Sequence, residues 1–475
     1  MELYTRTLGD WLEHWAEATP DKEYIVYSDR NLRFTWRQFN ERVDNMAKGL
    51  LAIGVKRNTH VGIWAGNVPD WLTFLYACAK IGAVAVTVNT NYKQAELEYL
   101  CQNSDMHTLC IVNGDRGSDD YVNMVYAMLP ELKSSQRGYL KSKRFPCMKN
   151  VIYIGQEKYR GMYNTSEILL LGSNVEDDEL TEAKKQVDCH DTVNMQYTSG
   201  TTGFPKAILH RHRALVCSCV TEQHHHGQTK DDVFLCIPPL YHTGAKMHWF
   251  GSLISGGKAV LLRGVKPEWI LRTVTEEKCT IVWLLVPWAQ DILDAIESGR
   301  VNLEHYLLDQ WRLMHIGAQP VPPSLIKRWL KYFPHHKYDT NYGLSESIGP
   351  GCVHLGVDNI EKIGAIGKAG YLWQTRILDE RGNDVAPGEI GELAVKGPGV
   401  MKCYYKNPEA TAEILHGDWL WTGDMAREDK DGFIYLVDRK KDVIISGGEN
   451  IYPEEVSNVI QLLSDDVAEV CVYGV

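Results

Sequence analysis

The chain has 475 residues, of which 44% are apolar and 23% charged, and its formal net charge is −11. This length predicts two or more compact units, and the acidic balance argues against a general nucleic-acid or anionic-membrane surface. Twelve cysteines without a CxxC pair favour a reducing compartment. The start, MELYTRTLGDWLEHWAE, is unlike a secretory signal, and no uncharged apolar run is long enough to span a bilayer. Composition therefore predicts a soluble, cytoplasmic protein of enzyme size, with no nucleic-acid partner and no transmembrane segment.

The first part of the chain alternates helix-like and strand-like patterns. Residues 36–53 place apolar side chains on one face of a helix, and HVGIWAG at 60–66 is typical of a buried strand. A second helix is predicted at 69–83, with Pro69 in its first turn, and a second strand follows at 84–90. This order of strand, helix and strand indicates a parallel α/β sheet.

The later part of the chain changes character. Residues 375–405 and 431–453 alternate short β-type runs with Gly, Pro and Asn-Asp turns, which favours a small antiparallel β unit. A helix is expected to open at Pro453, and the chain ends on an apolar, strand-like run at 467–475. Because that strand would present an unprotected edge, we expect its continuation to be missing.

A phosphate-binding loop is one reading of YTSGTTGFPKA at 197–207. Hydroxyls, glycines for close backbone approach and the Lys206 cation are the groups that a polyphosphate needs. The spacing does not match the Walker A loop, GxxxxGK[ST], or the dinucleotide motif, GxGxxG. Taken alone, the stretch fits a Thr/Ser/Gly-rich surface turn equally well.

Four further stretches decide between these readings. They are MHIGAQP at 314–320, NYGLSES at 341–347, WLWTGD at 419–424 and VDRKKDVIISGGENIYP at 437–453. Glu346 is a suitable carboxylate for Mg²⁺, and Asp424 follows a glycine turn from which it can take two ribose hydroxyls. In order and separation, these motifs resemble those of the adenylate-forming (AMP-dependent synthetase/ligase) superfamily, acyl-CoA synthetase type, from near residue 10 to the end.

The resemblance implies a fold. It implies an α/β protein in which residues 1–438 form a large, multi-subdomain α/β domain with a small β unit, the domain that binds acid and ATP. Residues 439–475 would then hold the hinge and the beginning of a small α+β C-terminal domain, truncated before its end.

The resemblance also implies nucleotide contacts, position by position. The β- and γ-phosphates of ATP are assigned to Lys206 and to the loop of Thr198, Ser199, Gly200, Thr201, Thr202 and Gly203. The adenine slot is assigned to Gly317, Ala318, Asn341, Tyr342 and Gly343, with Tyr342 stacking on the base. Ser345 is expected at the α-phosphate, Glu346 at Mg²⁺, Asp424 at the ribose, and Arg439 at ribose or phosphate.

The remaining assignments concern the acid, the hinge and coenzyme A. By resemblance, His242 lies beside the carboxylate to be activated, although a packed core histidine is the alternative. The apolar pocket is assigned to His242, Met247, Trp249, Gly317 and Tyr342. Lys441 matches the hinge, for which a solvated charge run is the alternative, and it counts with Lys206, Glu346 and His242 among the catalytic residues. Gly447 and Gly448 match the glycines that approach the thiol channel.

The implied reaction is ATP-dependent activation of a carboxylic acid. The acid attacks the α-phosphorus, pyrophosphate leaves, and the acyl adenylate passes its acyl group to coenzyme A, which gives acyl-CoA and AMP. No acidic residue follows His242 to pair a substrate ammonium, so a fatty or aryl acid is favoured over an amino acid.

Other functions stay open. These are an amino-acid adenylation domain that loads a carrier protein, a non-catalytic nucleotide-binding relative, a kinase or ATPase that releases ADP, and a luciferase-like oxygenase. Either a monomer or a homodimer is compatible with the sequence.

The sequence departs from the family at two places. Ala207 stands where glycine usually follows Pro-Lys, and only 34 residues follow Lys441. The C-terminal catalytic lysine is therefore expected to be absent and adenylate formation impaired.

Two histidine-rich stretches are predicted to have structural or surface roles rather than catalytic ones. HRHR at 210–213 is expected to cap and solvate a following helix. HHH at 224–226, near Cys217 and Cys219, is expected in a polar loop rather than at a metal.

Overall fold

Two large, mostly parallel β-sheets and three smaller sheets lie in the described part of the structure, a computed structural model. It describes residues 4–114, 120–198, 205–319, 321–362 and 364–440, and scattered positions from 442 onward. The strands are β1 (Glu23–Tyr27), β2 (Leu32–Thr35), β3 (His60–Trp64), β4 (Val84–Thr87), β5 (Thr108–Ile111), β6 (Asn150–Tyr153), β7 (Tyr163–Asn164), β8 (Thr192–Thr198), β9 (Lys206–Arg211), β10 (Val233–Cys236), β11 (Lys258–Leu261), β12 (Ile281–Leu285), β13 (Leu313–Gly317), β14 (Lys337–Asp339), β15 (Asn341–Leu344), β16 (Gly349–His354), β17 (Lys368–Ala369), β18 (Gln374–Leu378), β19 (Gly391–Lys396), β20 (Cys403–Tyr404), β21 (Leu415–His416), β22 (Trp419–Glu428), β23 (Ile434–Arg439), β24 (Ile444–Ser446) and β25 (Glu449–Ile451).

Helices cover the large sheets. They are α1 (Leu8–Ala18), α2 (Trp36–Ala52), α3 (Pro69–Lys80), α4 (Gln94–Asn103), α5 (Tyr121–Met128), α6 (Thr165–Gly172), α7 (Asp177–Lys185), α8 (His212–His226), α9 (Thr243–Ser255), α10 (Pro267–Glu277), α11 (Val286–Glu297), α12 (Pro323–Tyr332) and α13 (Pro408–Ile414). Among the described residues, no helix is long and apolar enough to cross a membrane.

Local sequence signals explain where the early helices begin. Thr35 precedes α2 and forms a capping box with Gln38, in which each side chain bonds the other residue's backbone N–H. Pro69 occupies the first turn of α3, where its missing N–H costs nothing. Both helices and both neighbouring strands, β3 and β4, therefore appear where the sequence predicts them.

Strand order places the candidate site. The eight-stranded sheet runs β20-β9-β8-β4-β3-β5-β6-β7, and the seven-stranded sheet runs β14-β13-β12-β10-β11-β1-β2. Pairing is parallel from β8 through β4, β3, β5 and β6 to β7, and from β14 to β1 in the second sheet. In open α/β sheets, ligands bind beyond the carboxyl ends of such strands, which here include the ends of β4, β8 and β13.

The main apolar core lies among α1, α2, α3, α8 and α9. Tyr24 and Trp36 stack within it with ring centroids 3.6 Å apart, and Trp71 is fully buried in the same cluster. The predicted antiparallel unit is confirmed: β18, β19, β22 and β21 form a sheet, and β23 pairs with β22. The α/β fold is therefore confirmed, while the division at residue 438 stays a prediction. Most of the strand-like run at 467–475 lies outside the described residues.

The prediction for HRHR at 210–213 is wrong for its two histidines. His210 belongs to β9, His212 begins α8, and both are fully buried. His212 Nδ1 accepts a hydrogen bond from the backbone N–H of Leu8 (3.2 Å), so it ties the N-terminal helix to α8. Tertiary packing, which a local charge pattern does not reveal, decides the burial of both rings.

The prediction for HHH at 224–226 is also wrong in placing it in a polar loop. The three histidines form the last turn of α8, which ends at Gly227 with φ 55°. His224 is exposed, whereas His226 is 2% exposed. The helical period turns His226 toward the protein interior.

Candidate active site

The phosphate end of the candidate site begins at the β8–β9 hairpin. Thr198 and Lys206 are paired partners at its open end. The connecting residues Ser199, Gly200, Thr201, Thr202 and Gly203 lie outside the described residues. Lys206 Nζ lies 5.0 Å from the centre of the Tyr404 ring, close enough for a cation–π contact. The hairpin therefore places the Lys206 ammonium at the end of β8 and β9 where the connecting residues begin.

Tyr404 links Lys206 to Glu346. Its hydroxyl donates to Glu346 Oε1 at 2.6 Å, although the two residues are 58 positions apart. Burial, with the neighbouring Glu346 carboxylate, raises the pKa of Tyr404 well above its usual range, so the phenol remains a donor. Sequence reasoning missed Tyr404, because only the pairing of β20 with β9 brings it here.

A second group joins Tyr342, Asp424 and Arg439. The Tyr342 hydroxyl donates to Asp424 Oδ2, and Arg439 Nε lies 2.8 Å from Asp424 Oδ1. Asp424 is 4% exposed. Desolvation raises the pKa of Asp424, while the Tyr342 hydrogen bond and Arg439 oppose that rise. The structure thus brings together three residues that the sequence assigned to base and ribose.

The predicted adenine slot lies at the end of β13. The nearest atom to a Cβ built on Gly317 is Asn341 Oδ1, at 3.7 Å, so these two assigned residues are neighbours. Ala318 follows with φ 68°, a left-handed conformation that is strained for alanine. Gly343 follows a β-bulge after Tyr342 in the β15–β16 pairing. The bulge changes the direction of the chain between Tyr342 and Gly343.

The predicted acid end lies at the start of α9. His242 is the N-cap residue of this helix and is exposed. Desolvation, with nearby Lys246, lowers the pKa of His242 to about 4. Trp249 packs in the core, 5.8 Å from the Tyr24 ring, and the Met247 side chain lies outside the described residues. His242 is therefore an uncharged imidazole near neutral pH.

Lys246 is a second residue that sequence reasoning missed. It is 1% exposed, and its ammonium contacts Thr87 Oγ1, Asn194 Oδ1, Gln196 Oε1 and the Tyr241 carbonyl at 2.8–3.3 Å. Burial lowers its pKa well below the usual value. Its position four residues after His242, in HTGAKMHWF, is the sequence signal that marks it.

A chain of contacts runs from Lys246 to the nucleotide motif. Asn194 contacts Lys246 through Oδ1 and His210 Nδ1 through Nδ2 (3.2 Å). His210 Nε2 lies 2.8 Å from the Ser345 carbonyl, so it donates there. Burial and Lys246 lower the pKa of His210 to about 3, which keeps the ring neutral. Three consecutive polar contacts, Lys246–Asn194, Asn194–His210 and His210–Ser345, thus connect the predicted acid end of the candidate site with its predicted phosphate end.

The remaining assigned residues cannot be placed. Lys441, Gly447 and Gly448 lie outside the described residues, so the hinge and thiol-channel assignments stay predictions.

The residues present fit a magnesium nucleotide. Glu346 is partly exposed and offers carboxylate oxygen, the ligand type that Mg²⁺ prefers. Lys206 adds positive charge beside it, and Gly317 leaves space where a side chain would project toward Asn341. The donor set is hard oxygen plus one cation, as a metal-bound polyphosphate requires.

Comparison with known proteins decides the family. The sequence pattern described as "AMP-binding enzyme" matches residues 12–405. The chain belongs to the AMP-binding enzyme family. This family is the adenylate-forming superfamily that the motifs resemble, so that prediction is confirmed.

Individual relatives extend across nearly the whole chain. The Bacillus subtilis (strain 168) protein YngI is 36% identical over 465 residues, which cover 97% of this chain and 83% of YngI. The mitochondrial medium-chain acyl-CoA ligase ACSF2 of Homo sapiens is 30% identical over 483 residues, which cover 100% of this chain and 77% of the ligase. Among solved structures, the Bacillus subtilis O-succinylbenzoate coenzyme A synthetase MenE, in complex with ATP and magnesium ion, is 25% identical with a TM-score of 0.79. That match covers 99% of this chain and 87% of MenE.

Proposed function

We propose that this AMP-binding enzyme is an acyl-CoA ligase. It condenses a carboxylic acid with ATP to give an acyl adenylate and pyrophosphate, and then transfers the acyl group to the thiol of coenzyme A, which releases AMP. One observation carries the proposal: residues from three motifs that are distant in sequence come into contact, with Lys206, Tyr404 and Glu346 in one group and Tyr342 and Asp424 in another. Two proteins similar to this chain support the proposal, since one is named a medium-chain acyl-CoA ligase and the other, MenE, a coenzyme A synthetase.

The residues divide the first step between them. Asp424 accepts from the ribose hydroxyls, and Tyr342 holds Asp424 in place while its ring packs against the base. Lys206 neutralises negative charge on the departing pyrophosphate. Such electrostatic stabilisation of the transition state is usually the largest single contribution to catalysis. Glu346, oriented by the Tyr404 hydroxyl, would hold a magnesium ion, and the ion would supply further charge neutralisation. His242, neutral near pH 7, borders the position of the attacking carboxylate.

The proposed substrate is a fatty or aryl acid without an ammonium group. Along HTGAKMHWF there is no carboxylate to pair an ammonium, and Lys246 of this stretch is buried. An unpaired ammonium is costly to bury, and a lysine cannot compensate its charge. Amino-acid adenylation is therefore the weaker alternative.

The product nucleotide tests the reaction. The chain is incubated with Mg-ATP, coenzyme A and, separately, octanoate, palmitate, benzoate, 2-succinylbenzoate, phenylalanine and valine. We expect AMP and the matching acyl-CoA with at least one fatty or aryl acid. ADP as the nucleotide product would refute the proposal in favour of a phosphotransferase, and turnover confined to amino acids would refute the substrate class.

Slow adenylate formation and a non-catalytic nucleotide-binding function each require a separate assay. Slow adenylation by these 475 residues stays a prediction, and supplying presynthesised acyl adenylate isolates the transfer to coenzyme A. A non-catalytic relative would raise its melting temperature with AMP yet form no thioester from either starting point. Binding at 100 times Kd stabilises a fold by about 2.7 kcal/mol, which a melting curve detects.

A further inference from the structure

Five ionisable side chains form a buried cluster behind the predicted adenine slot. We call Glu222, His226, His315, Asp339 and His354 the histidine–carboxylate cluster. Each is at most 3% exposed. Two come from the last turn and a half of α8, and the other three come from β13, β14 and β16. The proposed ligase chemistry uses none of them.

Four atoms of the cluster face one another. His226 Nε2 lies 3.1 Å from His315 Nδ1, 3.4 Å from Glu222 Oε2 and 3.5 Å from Asp339 Oδ2. His315 Nδ1 lies 3.7 Å from the same Asp339 oxygen. Ligand atoms at about 2.0–2.2 Å from a tetrahedral ion lie roughly 3.3–3.6 Å from one another. The four observed separations bracket that range. Ligand atoms of Glu222, His226 and His315 all lie within 4.8 Å of one another, and Asp339 Oδ2 is near both imidazole nitrogens, so one ion can contact this group.

The second carboxylate oxygen of Glu222 and that of Asp339 each have protein partners. Glu222 Oε1 accepts from Asn341 Nδ2 at 2.9 Å and lies 3.3 Å from His354 Nε2. Asp339 Oδ1 accepts from the backbone N–H of Gly356 at 2.9 Å. These contacts direct Glu222 Oε2 and Asp339 Oδ2 toward the two imidazole nitrogens. Such supporting bonds orient ligands in metal sites.

Charge also favours a cation here. Two carboxylates removed from water need compensation, because burying unpaired charge costs several kcal/mol. His354 contacts both carboxylates, with Nε2 3.3 Å from Glu222 Oε1 and Nδ1 3.4 Å from Asp339 Oδ2. One divalent ion would balance both carboxylates while His226 and His315 bind it as neutral ligands.

We propose that Glu222, His226, His315 and Asp339 bind a divalent transition-metal ion, with Zn²⁺ as the best match. Imidazole nitrogen with carboxylate oxygen in a tetrahedral arrangement is a donor set typical of zinc. The site is distinct from the magnesium position at Glu346 and is connected to the adenine slot through Asn341. Its role is to hold α8 against β13 and β14 and to fix Asn341 from behind.

The first experiment measures metal content without nucleotide or acid, so it is independent of the ligase proposal. The chain is purified in chelator-free buffer and analysed by inductively coupled plasma mass spectrometry. We expect close to one transition-metal ion per chain, and a melting temperature that falls with dipicolinate and recovers with Zn²⁺ but not with Mg²⁺. Co²⁺ added to the stripped protein should give the visible absorption of a tetrahedral site.

Variants assign the ligands. His226→Gln and His315→Gln should lower bound metal at least tenfold, whereas the matched control His224→Gln, on an exposed residue of the same helical turn, should keep it. If the ligand variants fail to fold, the wild-type Co²⁺ spectrum still decides. Fewer than a tenth of an ion per chain, with no Co²⁺ spectrum and no response to Zn²⁺, would overturn the proposal. The cluster would then be a metal-free polar network in which His354 contacts both carboxylates.

Discussion

Tyr404 and Glu346 form a 2.6 Å hydrogen bond across 58 residues of sequence, and the same phenol ring lies under the Lys206 ammonium. The tyrosine therefore fixes the relative positions of the cation and the carboxylate assigned to Mg-ATP.

Tyr404→Phe tests this arrangement because it removes the hydroxyl and keeps the ring. A hydrogen bond to a charged group is worth about 1.5–3 kcal/mol, so we expect kcat/KM for ATP to fall roughly tenfold or more. The Mg²⁺ concentration for half-maximal rate should rise. Tyr405→Phe is the matched control, since its hydroxyl binds Asp105 instead (2.8 Å). Equal effects of the two variants would contradict the assignment.

Gly317→Ala separates space needed by the fold from space needed by a ligand. The added Cβ would meet its nearest protein atom at 3.7 Å, an ordinary contact, so the melting temperature should stay unchanged. If adenine lies against Gly317, overlap should raise the Kd for AMP by about tenfold, measured calorimetrically. Ala318→Gly adds no volume at the strained neighbour and should leave AMP binding intact. Unchanged AMP binding by Gly317→Ala would place the base elsewhere.

Lys246→Met should be among the most destabilising single changes near the site. The variant leaves buried acceptors on Thr87, Asn194 and Gln196 without their donor, and orphaned acceptors cost about 1–3 kcal/mol each when the site cannot relax. We expect a loss of roughly 2–4 kcal/mol in urea unfolding. Acid binding should weaken more than AMP binding. Lys141→Met, at an exposed lysine, serves as the control, and a comparable loss there would refute the account.

Because His212 is buried with a lowered pKa, we expect the free energy of unfolding to fall in acid. Burial lowers its folded-state pKa to about 4, against about 6.5 in the unfolded chain. Below pH 6.5 the unfolded chain therefore binds the proton first, and stability present above pH 6.5 is lost as pH falls toward 4. Between pH 6.5 and 5 the loss is about 2 kcal/mol for this one group.

The comparison uses His212→Asn, which keeps an acceptor for the Leu8 N–H but does not titrate. Urea midpoints at pH 7.5 and 5.0 should differ less in this variant than in the wild type. His305→Asn, at an exposed histidine, should behave like the wild type. An unchanged difference in His212→Asn would assign the acid sensitivity to other groups.

Local signals predicted much of the fold. The apolar period of residues 36–53 and Pro69 defined α2 and α3, because both signals depend on residues within one or two turns. The order of elements was enough to predict a parallel sheet. Which strands become neighbours depends on long-range packing, and the single sequence carried no record of it.

The candidate site was predicted less evenly. Motif residues such as Asp424 and Glu346 were named by resemblance, whereas Tyr404 and Lys246 were not, because their partners lie 58 or more residues away or on other strands. The burial of His226 was missed for the same reason. The local sequence of α8 did not reveal which of its histidines faces three strands of two sheets.

Side-chain alternation along β8 has an evolutionary consequence. Asn194 and Gln196 contact Lys246 on one face, while Tyr197 hydrogen-bonds Asn103 of α4 on the other. Inserting or deleting one residue within this strand would exchange the two faces and separate Lys246 from its acceptors. Length changes should therefore be tolerated in the surface loops of homologous chains but not between Thr192 and Thr198, where point substitutions remain the available route of change.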